Sequence, residues 1–329
     1  MLVLSAGDVR RSLPMSEAIQ AMKAAFAAVS DGRAEMPLRT RLSVPAHDAL
    51  ALFMPAFVRQ SPTDALAVKV VSLFPGNPAR GIAYIQSAVL VLEPSTGRPT
   101  GLLEGSALTA IRTGAAGGAA IDVLSRPESH TLAIFGAGVQ GRSQLEAACT
   151  AREITTAWIY DPVVGQAARL VQEMAGVGPV PRDLRAASSA REAVLQADVI
   201  STATTSTTPV FADDDLRPGV HISAVGSYTP EMQETPADTV ARARVVVDSR
   251  SAALAETGDL IIPIRQGAFG PEHIAAELGE IVLGRKQGRQ SPDQITFFKS
   301  VGIAAQDAVA AQLVMQNARE RGLGQEIPF

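Results

Sequence analysis

The chain has 329 residues, enough for two domains, and 47% of them are hydrophobic, as expected of a protein with sizeable cores. Its 29 basic and 33 acidic side chains give a net charge of −4 without any basic run, which argues against a nucleic-acid partner. The single cysteine excludes an internal disulfide, and neither a signal-peptide pattern nor an apolar run of about 18 residues is present. We therefore expect a cytoplasmic protein that does not enter a membrane.

The first third of the chain is predicted to be a strand-rich α+β unit without a nucleotide-binding motif. Ser5 and Asp8 have the spacing of a capping box, and a longer helix is expected to begin at Ser16. An Ala- and Gly-rich helix, Ser106–Leu124, follows and is expected to link two domains. The predicted strands of this third are Met36–Val44, Ala49–Phe57, Leu66–Phe74 and Gly81–Glu93.

From Thr131 onward, apolar strands alternate with helical segments, which predicts a Rossmann-type, doubly wound parallel sheet covered on both faces. Past Gly258 the pattern loosens, and a plausible amphipathic helix occupies Ile303–Arg319. The predicted strands of this part are Leu132–Phe135, Ile154–Tyr160, Val199–Ala203, Val220–Val225, Val245–Val247 and Ile295–Ser300.

A glycine turn lies between the first of these strands and the helix after it. Gly136, Gly138 and Gly141 have the spacing G-x-G-x-x-G in the strand–turn–helix context that binds dinucleotides. The first glycine permits the sharp turn, the second lets the backbone approach a pyrophosphate, and the third lets the helix pack on the strand. The N-terminus of the helix would then face the phosphates.

An acidic residue, Asp161, directly follows the second strand, where it can accept hydrogen bonds from the adenine-side ribose. A carboxylate there repels a 2′-phosphate, so NADH is the preferred cofactor, although a neighbour such as Arg142 could rescue NADPH. The competing interpretation is a purely structural glycine turn with a solvated aspartate.

Basic side chains stand out in the part of the chain without the glycine motif. Alternation puts Lys69 on the same strand face as Ala67, so it either meets an anion or extends to water. Arg39 and Arg41 share one face of a neighbouring strand. Arg112 lies in a small-residue helix, where a ligand and a structural salt bridge are both open. The basic groups would suit a small carboxylate substrate.

Polar residues follow two strands of the predicted sheet at the carboxyl ends, where open α/β sheets bind ligands. They are the turn Val225–Glu234 and the threonines Thr202, Thr204 and Thr205. The four histidines lack metal-ligand spacing, and neither a G-x-S-x-G elbow nor a P-loop is present. We expect no metal site, and hydride transfer is the remaining chemistry.

Motifs along nearly the whole chain resemble those of the ornithine cyclodeaminase/μ-crystallin family. Together they are specific to that family, although several are not specific on their own. They are MPLRT at Met36–Thr40, VKVVS around Lys69, VLVLEPSTG at Val89–Gly97, ALTAIRTGAA at Ala107–Ala116, FGAGVQG at Phe135–Gly141, AVG at Ala224–Gly226, ETGD at Glu256–Asp259, ELGE at Glu277–Glu280 and FKSVGIAAQD at Phe298–Asp307.

The resemblance implies two domains. Residues 1–125, completed by a C-terminal helix in 300–329, would bind substrate and form a homodimer in which strands of two subunits share a closed barrel. Residues 126–299 would form the Rossmann domain. The active site would lie in the cleft between the domains.

The resemblance also implies roles for individual residues. Arg39, Lys69 and Arg112 would hold the substrate carboxylate, and Lys69, Arg112 and Tyr228 are the candidate catalytic residues. The residues expected to contact the dinucleotide, from motif and resemblance together, are Tyr84, Arg112, Thr113, Gly136, Gly138, Val139, Gln140, Gly141, Asp161, Thr202, Thr204, Ala224, Val225, Gly226 and Ser227.

Two departures separate the chain from the cyclodeaminases it resembles. Tyr228 stands where those enzymes carry an aspartate that engages the substrate amine, and Tyr84 replaces a threonine. The turn VGSYTPEM is similar to that of members that reduce cyclic ketimines. We therefore expect NAD(P)H-dependent reduction of Δ1-pyrroline-2-carboxylate to L-proline, or of Δ1-piperideine-2-carboxylate to L-pipecolate.

No side chain in the sequence is a clear acid for the imine nitrogen, and Tyr228 either contributes a hydroxyl or, as we prefer, closes the pocket. The alternative enzymes are an alanine-type amino-acid dehydrogenase and an ornithine cyclodeaminase. The alternative without turnover is a μ-crystallin-like protein that binds NAD(P)H and a carboxylate ligand.

Overall fold

A computed structural model describes all residues from Met1 to Phe329. The chain forms two compact units, of which the first comprises Met1–Arg112 with Ile303–Phe329 and the second comprises Thr113–Gly302. The domain limits at 125 and 299 expected from the sequence stay a prediction.

The elements are β1 Leu2–Leu4, α1 Ala6–Ser12, α2 Met15–Ser30, β2 Ala34–Glu35, β3 Thr40–Val44, β4 Ala49–Val58, β5 Ala65–Leu73, β6 Ile85–Leu92, β7 Pro99–Glu104, α3 Gly105–Leu124, β8 Thr131–Phe135, α4 Val139–Ala151, β9 Thr156–Tyr160, α5 Gln166–Met174, β10 Asp183–Ala186, α6 Ala190–Val194, β11 Val199–Thr202, β12 His221–Ala224, α7 Ala237–Arg242, β13 Arg244–Val247, α8 Arg250–Glu256, α9 Gly258–Arg265, β14 Ile274–Glu277, α10 Leu278–Val282, β15 Thr296–Lys299, α11 Ala304–Glu320 and β16 Gln325–Glu326.

The first helices begin for different reasons. The predicted capping box is confirmed, because the Ser5 hydroxyl accepts from the Asp8 N–H and the Asp8 carboxylate accepts from the Ser5 N–H. The predicted start of α2 at Ser16 is wrong by one residue. Pro14 is the N-cap there and α2 begins at Met15; proline is tolerated at a helix start because the first N–H groups of a helix have no intrahelical acceptor.

Two predicted strands of the first unit are wrong in extent. Only the second half of the predicted strand Met36–Val44 is a strand, namely β3, Thr40–Val44. The short β2 ends at Glu35, before the predicted range, and Pro37 lies between β2 and β3, where its missing N–H cannot take part in a ladder, although both strands pair with β4. Arg39 therefore precedes β3 and does not share a strand face with Arg41. The strand predicted from Gly81 begins only at Ile85, after a left-handed Gly81 at φ +70°.

The sheet of the first unit has the order β16-β1-β7-β6-β5-β4-β2, with β3 also paired to β4. One face is buried under α11, on which α2 packs in turn, and carries Met54, Ala67 and Val89 together with Lys69. The other face is only half-buried. Large apolar side chains are also exposed beside it, namely Leu38, Leu42, Ile82, Tyr84 and Ile85.

The sheet of the second unit confirms the predicted doubly wound fold. Its eight strands are all parallel, in the order β10-β9-β8-β11-β12-β15-β13-β14. The predicted strands agree with β8, β9, β11, β12, β13 and β15 to within two residues at each end, whereas the short β10 and β14 went unpredicted. The chain leaves β8 toward β9 on one side and β11 on the other, so the switch point at which open α/β sheets bind ligands is at the carboxyl ends of β8 and β11. No helix of either unit has the length and hydropathy to span a bilayer.

Candidate functional site

The glycine turn after β8 needs glycine at two positions for reasons internal to the fold. Gly136 has φ +96°, and a Cβ there would lie 2.6 Å from the Ala203 carbonyl oxygen. A Cβ on Gly141 would collide with the Gly136 carbonyl oxygen, so α4 packs directly on the turn. These observations confirm the roles predicted for the first and third glycines.

The middle glycine has no such internal reason. A Cβ on Gly138 would meet nothing within 4 Å, and the residue is exposed as the N-cap of α4. No side chain caps this helix, so its first-turn N–H groups face outward beside Gly138 and the exposed Val139. An open backbone beside an uncapped helix N-terminus fits the diphosphate of a dinucleotide.

Asp161 follows β9 directly and is tied to the same turn. Its carboxylate accepts from the Ala137 N–H at 2.8 Å and from the Val163 N–H at 2.9 Å. The side chain is thus fixed relative to the glycine turn, and its contact with a ribose stays a prediction. Arg142, the side chain that could rescue NADPH, forms an ion pair with Glu173 at 2.5 Å.

A fully buried carboxylate, Glu234, gathers the ends of β11 and β12. It accepts from the Thr202 hydroxyl at 2.9 Å, the Thr204 N–H at 2.6 Å and the Thr204 hydroxyl at 2.9 Å. It also accepts from the backbone N–H groups of Gly226 at 2.8 Å and Ser227 at 3.1 Å. Four of the residues predicted to contact the dinucleotide are therefore brought together, with these donors directed at Glu234.

Behind Glu234 lies a second buried carboxylate and one buried cation. Asp259 accepts from the Glu234 N–H at 2.7 Å through one oxygen, and its other oxygen lies 3.1 Å from Lys299 Nζ. We call Glu234, Asp259 and Lys299 the Glu234 cluster. Burial raises the pKa of Glu234 and the charge of Asp259 raises it further, while Lys299 opposes them. The sequence motifs included Asp259 and Lys299 without indicating this role.

A different buried cluster in the first unit holds two of the predicted carboxylate-binding residues. Asp307, in the first turn of α11, lies 2.7 Å from Lys69 Nζ through Oδ2 and 2.9 Å from Arg112 Nε through Oδ1. The exposed fractions are 3% for Lys69, 6% for Arg112 and 1% for Asp307. We call these three residues the Lys69 cluster. Of the two alternatives for Lys69, the anion partner is found, and Asp307 is a residue that sequence reasoning missed.

Local structure fixes each member of the Lys69 cluster. Lys69 lies in the middle of β5, paired with Met54 on β4 and Val89 on β6. Arg112 lies on α3, whose first N–H groups are capped by the Glu104 carboxylate, and its Nη1 donates to the Gln306 side chain at 3.3 Å. The structural salt bridge anticipated for Arg112 is therefore present.

The electrostatics of the Lys69 cluster favour anion binding. Burial lowers the pKa of Lys69 to about 8, and the charges of Arg112 and Arg39 lower it too, while Asp307 raises it. Burial raises the pKa of Asp307, but Arg112 and Lys69 outweigh burial and the net shift is downward. One carboxylate thus faces two cations near neutral pH. Lys69 Nζ and the Arg112 guanidinium each have N–H groups beyond those that Asp307 and Gln306 accept.

The remaining predicted residues do not belong to either cluster. Thr113 follows Arg112 and accepts from Gln144 through its carbonyl oxygen at 3.0 Å, and Gln140 has a buried Oε1 without a hydrogen-bond partner. Ala224 ends β12, and the Val225 N–H donates to Thr202. Tyr84 and Tyr228 are 38% and 36% exposed, and Arg41 is exposed on β3. No three His, Cys, Asp or Glu side chains are grouped to hold a metal ion.

Comparison with known proteins gives consistent matches over the full chain. Residues 1–322 match the model of the ornithine cyclodeaminase/mu-crystallin family. A Δ1-pyrroline-2-carboxylate reductase of Bacillus cereus is 41% identical, with all of both chains covered.

Two solved structures are also similar. The Thermococcus litoralis Δ1-pyrroline-2-carboxylate reductase in complex with NADH and L-proline is 40% identical with a TM-score of 0.93, and the match covers 99% of this chain and 100% of that one. An archaeal alanine dehydrogenase dimer with bound NAD is 32% identical with a TM-score of 0.90, and the match covers 100% of this chain and 99% of that one.

Proposed function

Because the chain belongs to the ornithine cyclodeaminase/mu-crystallin family, we propose that it is an NADH-dependent reductase that converts Δ1-pyrroline-2-carboxylate to L-proline. The observation that carries the proposal is the surplus of buried positive charge in the Lys69 cluster, which suits a small carboxylate. The similarity to two reductases of this substrate, at 41% and 40% identity, supports the choice of ketimine. The six-membered Δ1-piperideine-2-carboxylate is the alternative substrate.

The residues of this chain act mainly by positioning. The spare N–H groups of Lys69 and Arg112, assisted by Arg39, hold the substrate carboxylate and thereby fix the adjacent C2 carbon. A bound NADH supplies the hydride that C2 accepts, and the imine nitrogen must carry a proton as C2 is reduced. We propose that the substrate binds as the iminium ion, already protonated by water, so that no side-chain acid is required. Tyr228 closes the pocket.

The second unit supplies the dinucleotide site. Gly138 and the N-terminus of α4 receive the diphosphate, while Gly136 and Gly141 shape the turn. Asp161, held by two backbone N–H groups, accepts from the ribose and disfavours the 2′-phosphate of NADPH. Thr202, Thr204 and the Ala224–Ser227 turn, fixed from behind by Glu234, present a rigid backbone to the cofactor.

Ornithine cyclodeamination is the less favoured activity because a second substrate amine has no carboxylate partner. Tyr228 replaces the aspartate that the cyclodeaminases carry in this turn. Glu234 and Asp259 are fully buried and engaged by their own donors, and Asp307 is already paired with two cations. These pairings support an imine rather than a diamino acid.

We also propose that the protein is a homodimer. The half-buried face of the first unit's sheet and the exposed Leu38, Leu42 and Ile85 are apolar surface that a second copy would cover. The similar archaeal alanine dehydrogenase is a dimer, which supports this arrangement. A cytoplasmic location stays a prediction.

The test compares four substrate sets side by side. Δ1-Pyrroline-2-carboxylate, Δ1-piperideine-2-carboxylate and pyruvate with ammonia are assayed by oxidation of NADH and of NADPH. Ornithine with NAD⁺ is assayed by release of proline and ammonia, because cyclodeamination leaves the cofactor unchanged overall. We expect turnover with a cyclic ketimine and a lower KM for NADH than for NADPH. Turnover only with pyruvate and ammonia would make the protein an alanine dehydrogenase, and turnover only with ornithine would overturn the proposal. Tight NADH binding without any turnover would favour a binding protein.

A further inference from the structure

We propose that Asp307 is a positioning residue, which sets the spacing of Lys69 and Arg112 and keeps both charged for the incoming carboxylate. The proposal rests on the proposed function, because the ligand it concerns is the substrate carboxylate. Asp307 itself is not expected to contact the reacting atoms.

The geometry assigns one oxygen of Asp307 to each cation. Oδ2 lies 2.7 Å from Lys69 Nζ and Oδ1 lies 2.9 Å from Arg112 Nε, so a single rigid carboxylate fixes the distance between the two donors. Asp307 is itself held in the first turn of α11, where the helix N-terminus favours a negative charge. The neighbouring Gln306 accepts from the Ile303 N–H and from Arg112, which holds the guanidinium from a second side.

The charge balance explains why a carboxylate is needed at this place. Lys69 faces Arg112 from α3, Arg39 from the segment before β3 and Asp307 from α11. Two of these three groups are cations that repel the ammonium, and the burial of Lys69 disfavours its charge as well. Arginine keeps its proton in proteins, so without Asp307 it is Lys69 that would become neutral. The predicted consequence is a pH-dependent loss of carboxylate binding.

The substitution Asp307→Asn removes the charge while keeping the shape, and the probe is pyrrole-2-carboxylate, a planar carboxylate that is not reduced. Its affinity is measured by calorimetry from pH 6 to 9 with NAD⁺ present. In the wild type, affinity should fall as pH rises through about 8, where Lys69 loses its proton. In Asp307→Asn, the fall should begin at least roughly one pH unit lower, and affinity at pH 7.5 should be roughly tenfold weaker. Affinity for NADH should stay within about twofold of the wild type.

Two further variants separate positioning from a merely structural role. Asp307→Glu keeps the charge, so its affinity should fall over nearly the same pH range as that of the wild type, even if the affinity itself is lower. Glu320→Gln, on the exposed part of the same helix, should match the wild type throughout. The proposal would be overturned if the affinity of Asp307→Asn were lower by one constant factor at every pH, or if it fell at the same pH as that of the wild type.

The outcomes remain interpretable if a variant or the proposed reaction fails. If Asp307→Asn does not fold, the test rests on the pH at which the affinity of Asp307→Glu for pyrrole-2-carboxylate falls. A fall near pH 8 supports the proposal, whereas a fall displaced by more than one pH unit overturns it. If the wild type binds pyrrole-2-carboxylate but reduces no ketimine, the proposed function fails while the titration still tests Asp307. A wild type that does not bind this carboxylate at all overturns the positioning role.

Discussion

The two buried ion clusters have opposite charge balance. The Lys69 cluster contains two cations and one carboxylate, whereas the Glu234 cluster contains two carboxylates and one cation. In the Glu234 cluster the surplus negative charge is met inside the fold, because Glu234 accepts five hydrogen bonds from backbone and threonine donors. In the Lys69 cluster, by contrast, Lys69 and Arg112 keep N–H groups beyond those that Asp307 and Gln306 accept.

A buried ion pair is therefore not by itself evidence of a binding site or of stability. What matters is whether the surplus charge is satisfied by the fold. The Glu234 carboxylate is satisfied by its five donors and holds the ends of β11 and β12. The Lys69 cluster is not fully satisfied and is suited to an anionic ligand. Changes in the first unit should therefore affect carboxylate binding, and changes in the second should affect NADH binding.

The largest effect is expected from Lys69→Ala. Removing the ammonium leaves Asp307 paired with Arg112 alone and removes the surplus charge, at a cost of about 2–5 kcal/mol for a buried charge pair. KM for Δ1-pyrroline-2-carboxylate should rise and kcat should fall, with kcat/KM down by on the order of 10²-fold or more. Steady-state kinetics of NADH oxidation measure both parameters.

Lys286→Ala is the matched control for this variant, because Lys286 is an exposed lysine of the second unit. It should leave kcat/KM unchanged. An unaltered rate in Lys69→Ala would remove Lys69 from the site and would erase the functional difference between the two clusters.

An intermediate effect is expected from Glu234→Gln. The amide keeps one acceptor oxygen but directs an NH₂ group at donors such as the Gly226 and Ser227 N–H groups. We expect about 1–3 kcal/mol lower stability in urea unfolding and roughly tenfold weaker NADH binding by fluorescence titration. Binding of pyrrole-2-carboxylate to a variant saturated with NAD⁺ should change far less, and a reversed order of the two effects would contradict the assignment of the clusters.

The smallest change in stability is expected from Gly138→Ala. Its φ of −76° suits alanine and the new Cβ meets open space. The free energy of unfolding, measured by thermal denaturation, should therefore change by less than about 1 kcal/mol. NADH should nevertheless bind roughly tenfold more weakly, because the methyl group would stand where the diphosphate approaches. Gly141→Ala is the contrasting variant and should destabilise the fold, since its Cβ collides with the Gly136 carbonyl. Normal NADH affinity in Gly138→Ala would move the diphosphate away from this turn.

Local patterns predicted the second unit well. Hydrophobic runs of three to seven residues predicted the buried parallel strands, and the glycine spacing predicted the turn whose Gly136 and Gly141 are required by the structure. The turn Val225–Glu234 was predicted to face a ligand, which stays a prediction, and its last residue is a buried carboxylate that holds the turn. Nothing in the local sequence distinguishes a carboxylate that contacts a ligand from one that supports the residues contacting it.

The first unit was harder to predict because its key contacts are long-range. Arg112 and Asp307 are 195 residues apart in sequence, so the partner of the basic residues was not apparent from any local pattern. Alternation did identify Lys69 as an unusual residue on an apolar face, and burial confirms that part of the prediction. The predicted strand through Pro37 was wrong because alternation of side chains cannot register a missing backbone donor.

A crystal structure with NADH and pyrrole-2-carboxylate would show whether the Lys69 cluster binds the carboxylate of a cyclic imino acid. We expect the carboxylate oxygens to lie about 3 Å from Lys69 Nζ and from the Arg112 guanidinium, with Asp307 still bridging both cations. A carboxylate bound away from Lys69 and Arg112, with these two cations paired to Asp307 alone, would contradict it.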